Sequence, residues 1–423
     1  MRLIREEKTF IREAVLLMLP MILQNFVTFS MSMADTFMVG VLGETALAAV
    51  TMANSPFYVM QLMIFGVQSG MSVLVAQYHG RGDQEAINRV MGIALFVSTT
   101  ITGLLAITAF CIPEQIMRVL TNNADLVAPG AAYTRYVGFS YFFSAISGVY
   151  IAAQRSTENP RLGAVLLTVS GALNIFLNWV LIYGKLGAPM LGCAGAAVAT
   201  FSSQLISFFI LLFMFLSKKS VTHLRFSAVS KRPAVYGEIV ATGFPSFCRQ
   251  ILASLCTVLL NWAAQPYESQ GAIAALGVVQ KVFMFAFSIS LGIGQGFQPV
   301  LGYNYSARRF DRVRGAYLFT LVFSTALMSV FAVVCAIAAP AIMRQFLSSE
   351  KAIEIGTLAL RLQCICMPLL PLNFMAGLTY QVVGNKALAA LLSCSRQGLF
   401  YIPAVLILPQ LLQLLGIQSA QSV

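Results

Sequence analysis

Eleven long apolar runs, separated by short polar stretches, set the pattern of this chain. They fall at about residues 14–38, 46–77, 90–112, 131–154, 162–183, 193–216, 234–263, 272–303, 315–337, 357–381 and 387–411. Each meets the roughly 20 apolar residues that one helix needs to cross a bilayer. Lipid offers no partner for an open backbone, so the runs predict helices. They are too long and too evenly apolar to be barrel strands, which alternate over about ten residues. Pro56 and Pro299, inside two of the longest runs, are candidate kinks. The reading is an all-α polytopic membrane protein.

Composition agrees. Hydrophobic residues make up 58% of the 423 and charged residues only 10%; soluble chains carry about 25% charged residues. The net charge of +12 would suggest nucleic-acid binding in a soluble protein. Here it sorts by loop. The N-terminus (Arg2, Arg5, Lys8, Arg12), Arg81 and Arg89, Arg155 and Arg161, Lys218, Lys219, Arg225, Lys231 and Arg232, Arg308, Arg309, Arg312 and Arg314, and Lys386 and Arg396 make nineteen basic residues on one side. Arg118, Arg135, Lys185, Arg344, Lys351 and Arg361 make six on the other. This asymmetry predicts a multi-pass cell-membrane protein with a cytoplasmic N-terminus. The first run is too long for a signal peptide and lacks a cleavage site. The eight cysteines lie in or beside apolar runs without a CxxC pair, and read as buried, inert thiols. His79 and His223 have no second ligand near them, so no metal site is expected there.

The two halves repeat at an offset of about 226. Gly66 and Gly70 correspond to Gly292 and Gly296, Ala48 and Ala49 to Ala274 and Ala275, Arg135 to Arg361, and Asn159 to Asn385; Pro20 pairs with Pro245 after a one-residue slip. The first copy has six spans, so the second enters from the same side and the repeats are parallel, one of the two transporter repeat classes. The expected organisation is an N-terminal bundle at 1–216, a basic cytoplasmic linker at 217–232, and a C-terminal bundle at 233–423. At this offset Val423 falls opposite residue 197, so the second copy should stop before its sixth span, with truncation the favoured explanation.

Few polar groups interrupt the runs. Asp35 is the only acid well inside the first bundle's spans, and an intramembrane carboxylate is a functional candidate by default. Asn174 and Asn178, four apart, share a helix face. With Thr200 they could complete an oxygen site for a hard cation; the carboxylate could equally take a proton. Interhelical hydrogen bonding is the plainer role for the two asparagines. Arg249 and Lys281 fall in later spans, with Gln250 and Asn261 in the same run as Arg249, and Gln295 and Gln298 beside a glycine-rich stretch. Snorkelling to an interface would explain Lys281 better than Arg249.

Several stretches resemble multidrug and toxic compound extrusion transporters. DTFMVGVLGETALAAV from Asp35 to Val50 is similar to that family's first-helix signature. NIFLNWVLIYG from Asn174 to Gly184 and GCAGAAVATFSSQ from Gly192 to Gln204 resemble later helices. GFPSFCRQ from Gly243 to Gln250 and GQGFQPVLGYN from Gly294 to Asn304 resemble a bacterial branch typified by a staphylococcal multidrug pump. The resemblance covers nearly the whole chain in order. It implies two six-helix lobes forming a V around a central cleft, the second lacking its last helix here. It also implies export of amphipathic, cationic drugs or metabolites by antiport against sodium or protons. Asp35, Asn174, Asn178 and Thr200 are then the coupling residues, with sodium at Asp35 the only metal ion considered. Gln24, Arg249, Gln250, Asn261, Lys281, Gln295 and Gln298 are the cleft candidates. Two departures stand out. The family's fifth-helix pattern places Asp four residues after Asn, where this chain has Asn178. The acids that another branch carries in its second lobe are absent, and Arg249 stands in that helix.

No catalytic triad, metal motif or phosphate loop is visible, so enzymatic activity and cofactors are not expected. The expected partners are a small amphipathic substrate and the bilayer, without nucleic acid, the protein acting as a monomer. The alternative is a flippase for a lipid-linked anionic substrate, which Arg249 and Lys281 would suit. Flippases of that kind usually carry more helices and more cavity arginines.

Overall fold

A computed structural model describes residues 2–157, 160–216, 233–266, 271–347 and 349–420, and is wholly helical apart from short connections. The helices are α1 (Arg2–Gly40), α2 (Glu44–Arg81), α3 (Gln84–Cys111), α4 (Pro113–Leu120), α5 (Ala124–Ser156), α6 (Pro160–Tyr183), α7 (Gly192–Leu216), α8 (Pro233–Ala264), α9 (Ala272–Ser306), α10 (Phe310–Phe346), α11 (Glu350–Cys366), α12 (Leu370–Val383), α13 (Lys386–Cys394), α14 (Ile402–Leu412) and α15 (Leu414–Ala420). A 3₁₀ turn, Met367–Leu369, joins α11 to α12, and a π-helical turn, Ser395–Tyr401, joins α13 to α14. Counting each joined pair as one, eleven described spans are long and apolar enough to cross a membrane, in the order the hydrophobic runs predict. Large apolar side chains such as Phe37, Phe213, Ile337 and Ile365 face outward, as a lipid-solvated surface requires. Asp83, Asn123 and Asn385 cap α3, α5 and α13 by accepting backbone N–H bonds. Pro56 and Pro299 lie inside the continuous helices α2 and α9.

The chain forms two compact units: Leu23–Gly243, and Met1–Ile22 with Phe244–Val423. Their boundaries fall within α1 and α8, close to Pro20 and Pro245, and not at the linker. That linker, 217–232, lies outside the described residues, as do His223 and Asn159. Each unit therefore contains the entry portion of the other repeat's first helix. Glycines make room for it. In the first unit along the chain, a Cβ on Gly70 would strike the Ile239 carbonyl, and one on Gly243 the Gly66 carbonyl. In the other, Cβ atoms on Gly292 and Gly296 would each lie 2.6 Å from a Cα, of Ile22 and Met18. The repeat-related pairs Gly66/Gly70 and Gly292/Gly296 thus do the same work, letting one helix backbone lie directly on another.

Core packing repeats at the same offset. Met117 is fully buried on Gly130, and Met343 on Gly356. Gln68 on α2 lies over Gly148 on α5; their mates, Gly294 on α9 and Phe374 on α12, keep the contact with the large and small partners exchanged. Gly82 caps α2 in the left-handed conformation, and its mate Arg308, one residue past the cap of α9, is left-handed too, with φ 57°.

Three features depart from expectation. The helix α4 is absent from the apolar runs, because it is short and amphipathic. Arg155 and Arg396, which the charge pattern assigns to loops, lie inside spans: Arg155 is buried in the last turn of α5, and Arg396 sits ten residues into the eleventh span. Residues 414–420 form α15, where the apolar pattern predicts no helix. It is far too short to span; its Ile417 and Ala420 are fully buried, and Gln418 donates to the Ile355 carbonyl at 3.0 Å. It packs on α14 and α11, much as α7 packs on α6 and α5. The eight cysteines are all unpaired, four of them buried and Cys111 exposed.

Candidate functional site

The polar residues of α1, α6 and α7 converge in the Leu23–Gly243 unit. Asp35 lies near the end of α1, just before the Gly40–Gly43 turn. The helical repeat puts Asn174 and Asn178 one above the other on α6. Asn178 donates to the Asp35 carboxylate at 2.5 Å and to the Asn174 side-chain oxygen at 3.2 Å. Asn174 donates to the Thr200 hydroxyl at 3.2 Å, and Thr200 donates to the Ala196 carbonyl at 2.9 Å. Asn174 and Asn178 are essentially inaccessible, and Asp35 is partly so. All four coupling candidates therefore form one hydrogen-bonded chain across three helices. Both described ion pairs, Arg89–Glu85 and Arg118–Glu114, lie elsewhere, so Asp35 has no basic partner among the described residues. The buried side-chain oxygen of Asn178 accepts no hydrogen bond. With the carboxylate, it leaves oxygen valence available for a hard cation. Among the described residues, no three His, Cys, Asp or Glu cluster in a way that could hold a transition metal.

A second polar group, which the sequence pattern does not signal, adjoins the first. The Asn54 amide on α2 hydrogen-bonds the Tyr133 hydroxyl at 2.9 Å and accepts from Tyr141 at 3.4 Å, both on α5. Tyr141 stacks on buried Phe57 at 5.1 Å, and both tyrosines lie within the field of Asp35. A lone asparagine in an apolar run gives no sign of this; its partners lie about eighty residues on.

The cleft candidates divide. Gln24 belongs to this unit, its side-chain oxygen buried beside Gly163. The other six belong to the unit holding Phe244–Val423. There Arg249 is buried; its guanidinium lies 4.7 Å from the centre of the Phe374 ring and 3.5 Å from the Ser246 hydroxyl, which is hydrogen-bonded to Gln381. Gln298 is buried, Gln250 and Gln295 are partly so, and Asn261 and Lys281 are exposed. None of the six lines the cavity of about 220 Å³ in that unit, whose walls include Arg396, Asn373, Ser395 and Gln363. Arg396 is recoverable from the sequence: ten residues past Lys386, with an apolar run still to cross, it has to lie within the membrane.

Comparison with known proteins agrees with this architecture. A probable multidrug resistance protein NorM of Thermotoga maritima is 25% identical over 85% of this chain and 77% of its own length. The multidrug export protein MepA of Staphylococcus haemolyticus is 22% identical over 97% and 90%. Among solved structures, the Vibrio cholerae MATE transporter VcmN superposes with a TM-score of 0.90 at 18% identity, over 99% of this chain and 94% of that one. A MOP-superfamily transporter from Pyrococcus furiosus gives 0.87 at 21%, over 98% and 93%. The MatE family model matches twice, at residues 20–180 and 245–407, a displacement of 225 to 227 residues that restates the internal repeat. Those matches take in most of the chain and both members of the repeat, and the chain belongs to the MatE family.

Proposed function

We propose that this chain is a secondary active transporter of the cell membrane, its N-terminus cytoplasmic, which exports amphipathic, cationic drugs or metabolites by antiport against sodium or protons. The names of the relatives, multidrug resistance and multidrug export proteins, support the direction and the breadth of substrate. The observation that carries coupling is Asp35: an intramembrane carboxylate with no basic partner among the described residues, hydrogen-bonded to Asn178 beside an unsatisfied amide oxygen. A cation or proton bound there changes the charge of the site, and a ligand shifts a conformational equilibrium by its differential affinity for the two states. With one carboxylate, one monovalent ion per cycle is the natural stoichiometry. Reconstituted into liposomes, the protein should drive efflux of a cationic dye when a sodium or a proton gradient is imposed alone, and the effective gradient names the ion. Asp35→Asn should abolish gradient-driven efflux and spare dye binding. Efflux at the normal rate in that variant would exclude the site. The flippase alternative has buried Arg249 on its side, and a lipid-translocation assay on the same liposomes separates the two.

A further inference from the structure

The cavity in the Phe244–Val423 unit is chemically unlike the Asp35 site. Its polar walls are Gln363 on α11, Asn373 on α12, and Ser395 and Arg396 on the π-helical turn; its apolar walls include Phe283, Met367, Leu370 and Phe400. Phe400 and Leu369 are well exposed, so the apolar part of the wall reaches the protein surface. The Arg396 guanidinium sits over the Phe283 ring, 5.0 Å from its centre. Among the described residues neither a carboxylate nor any hydrogen-bond acceptor engages it, although it carries five N–H donors. Asn373 fixes the turn that presents it, donating to the Leu392 carbonyl at 3.2 Å and to the Ser395 hydroxyl at 3.1 Å. The buried side-chain oxygen of Gln363 has no donor, an acceptor left for an O–H or N–H of a ligand and not for an oxyanion.

The first copy builds the corresponding helices without these groups. At the offset of 226, Gln363, Asn373, Ser395 and Arg396 stand where the first copy has Val137, Ser147, Val169 and Ser170. The same stretch of the first copy lies in the uninterrupted helix α6, whereas here it is a π-helical turn, a form rare in proteins and frequent at functional sites. An arginine in a membrane span is costly unless something is gained by placing it there.

We propose that this cavity binds the head of an amphipathic monoanion, a carboxylate or phosphate ester attached to an apolar body, with Arg396 taking the oxyanion in its planar fork. The Gln363 amide N–H can add a bond to those of Arg396, Asn373 holds the turn in place, and the aromatic walls hold the first part of the body. Drug-sized pockets run to about 300–1,000 Å³, so a cavity of about 220 Å³ takes the head and one ring or a short chain, with the remainder lying outward along Phe400 and Leu369. The site needs neither Asp35 nor transport and stands apart from the coupling reading.

The test is equilibrium binding of fluorescent 2-naphthoate to the full-length protein in phosphatidylcholine nanodiscs, beside its neutral analogue 2-naphthamide. A charge-assisted bond to arginine predicts that the carboxylate binds roughly 10- to 100-fold more tightly than the amide. Arg396→Gln should remove that preference, Arg396→Lys should keep part of it, and Asp35→Asn should leave it unchanged, which separates failure here from failure of the coupling site. Tryptophan fluorescence and thermal melting of each variant establish that it is folded. Including phosphatidylglycerol distinguishes the sources: competition assigns the occupant to lipid head groups, and no effect assigns it to a soluble anion, the oxyanion site standing in both cases. Equal affinity for carboxylate and amide, or full carboxylate preference in a folded Arg396→Gln protein, would overturn the proposal.

Discussion

At the scale of residues, the Asp35 chain follows from the cost of polarity in lipid. Unpaired polar groups are penalised there, so one acid, two asparagines four apart and a hydroxyl among apolar runs already imply mutual contact. Their joining by Asn178 and Asn174 makes the middle residue the test. Asn178→Ala removes the donor to Asp35, and a bond to a charged partner is worth about 1.5–3 kcal/mol. Ion dependence of efflux should therefore shift by roughly 10- to 100-fold in half-saturating concentration, read from initial rates against sodium or pH. Unchanged dependence would show that Asn178 is only interhelical glue. Asn178→Asp places a second carboxylate beside the first, and two acids sharing a site favour a bound cation. Sodium dependence should strengthen in that variant. The arginines read differently from one another. Arg155 sorts with the loop charges because it stands at a run's end, and only the length of α5 puts it inside; Arg396 sorts with them beside Lys386, although counting along its run already places it within the span.

At the scale of elements, the eleven spans are legible because each must carry enough apolar residues to cross, a demand that leaves a strong linear signal. The amphipathic α4, the π-helical turn and α15 leave none: they are short, and packing decides them. The repeat is legible as identities, but its physical content lies in contacts that identities do not report. The clearest is Gln68 on Gly148 against Phe374 on Gly294, where the large and the small partner are exchanged across the interface. Overpacking a core typically costs about 1–3 kcal/mol, occasionally more. Gly148→Phe alone should thus lower the thermal midpoint markedly, whereas Gly148→Phe with Gln68→Gly copies the second repeat and should recover most of the loss. Residues in direct contact couple by about 0.5–3 kcal/mol, and a thermal-melting cycle of the four proteins measures that term. Additive losses would mean that the contact is not what the two repeats hold in common.

At the scale of the whole molecule, covalent order and packing order differ. A boundary at the basic linker is the natural reading of the sequence, since charge and composition change there. The compact units instead divide within α1 and α8, each taking the entry portion of the other repeat's first helix. Gly66, Gly70, Gly292 and Gly296 are visible as repeat matches. Their purpose is not, because a glycine that admits a neighbouring backbone looks in sequence like any other small residue in a span. The consequence is that neither repeat is an autonomous folding unit. Residues 1–216 alone lack the start of α8, which lies against Gly66 and Gly70; residues 233–423 alone lack the start of α1, which lies against Gly292 and Gly296. Each fragment would expose a glycine-lined groove to lipid where a helix belongs, losing close backbone packing that lipid chains cannot reproduce. Expressed singly, both fragments should be degraded or polydisperse in detergent. Expressed together as separate chains, they should co-purify through a tag on either one and show a thermal midpoint near that of the intact protein. Gly70→Leu in the first fragment or Gly296→Leu in the second should abolish co-purification, since a side chain at either position meets the crossing backbone directly. Recovery of either fragment alone as a monodisperse, cooperatively melting species would show that the crossing adds nothing to the fold.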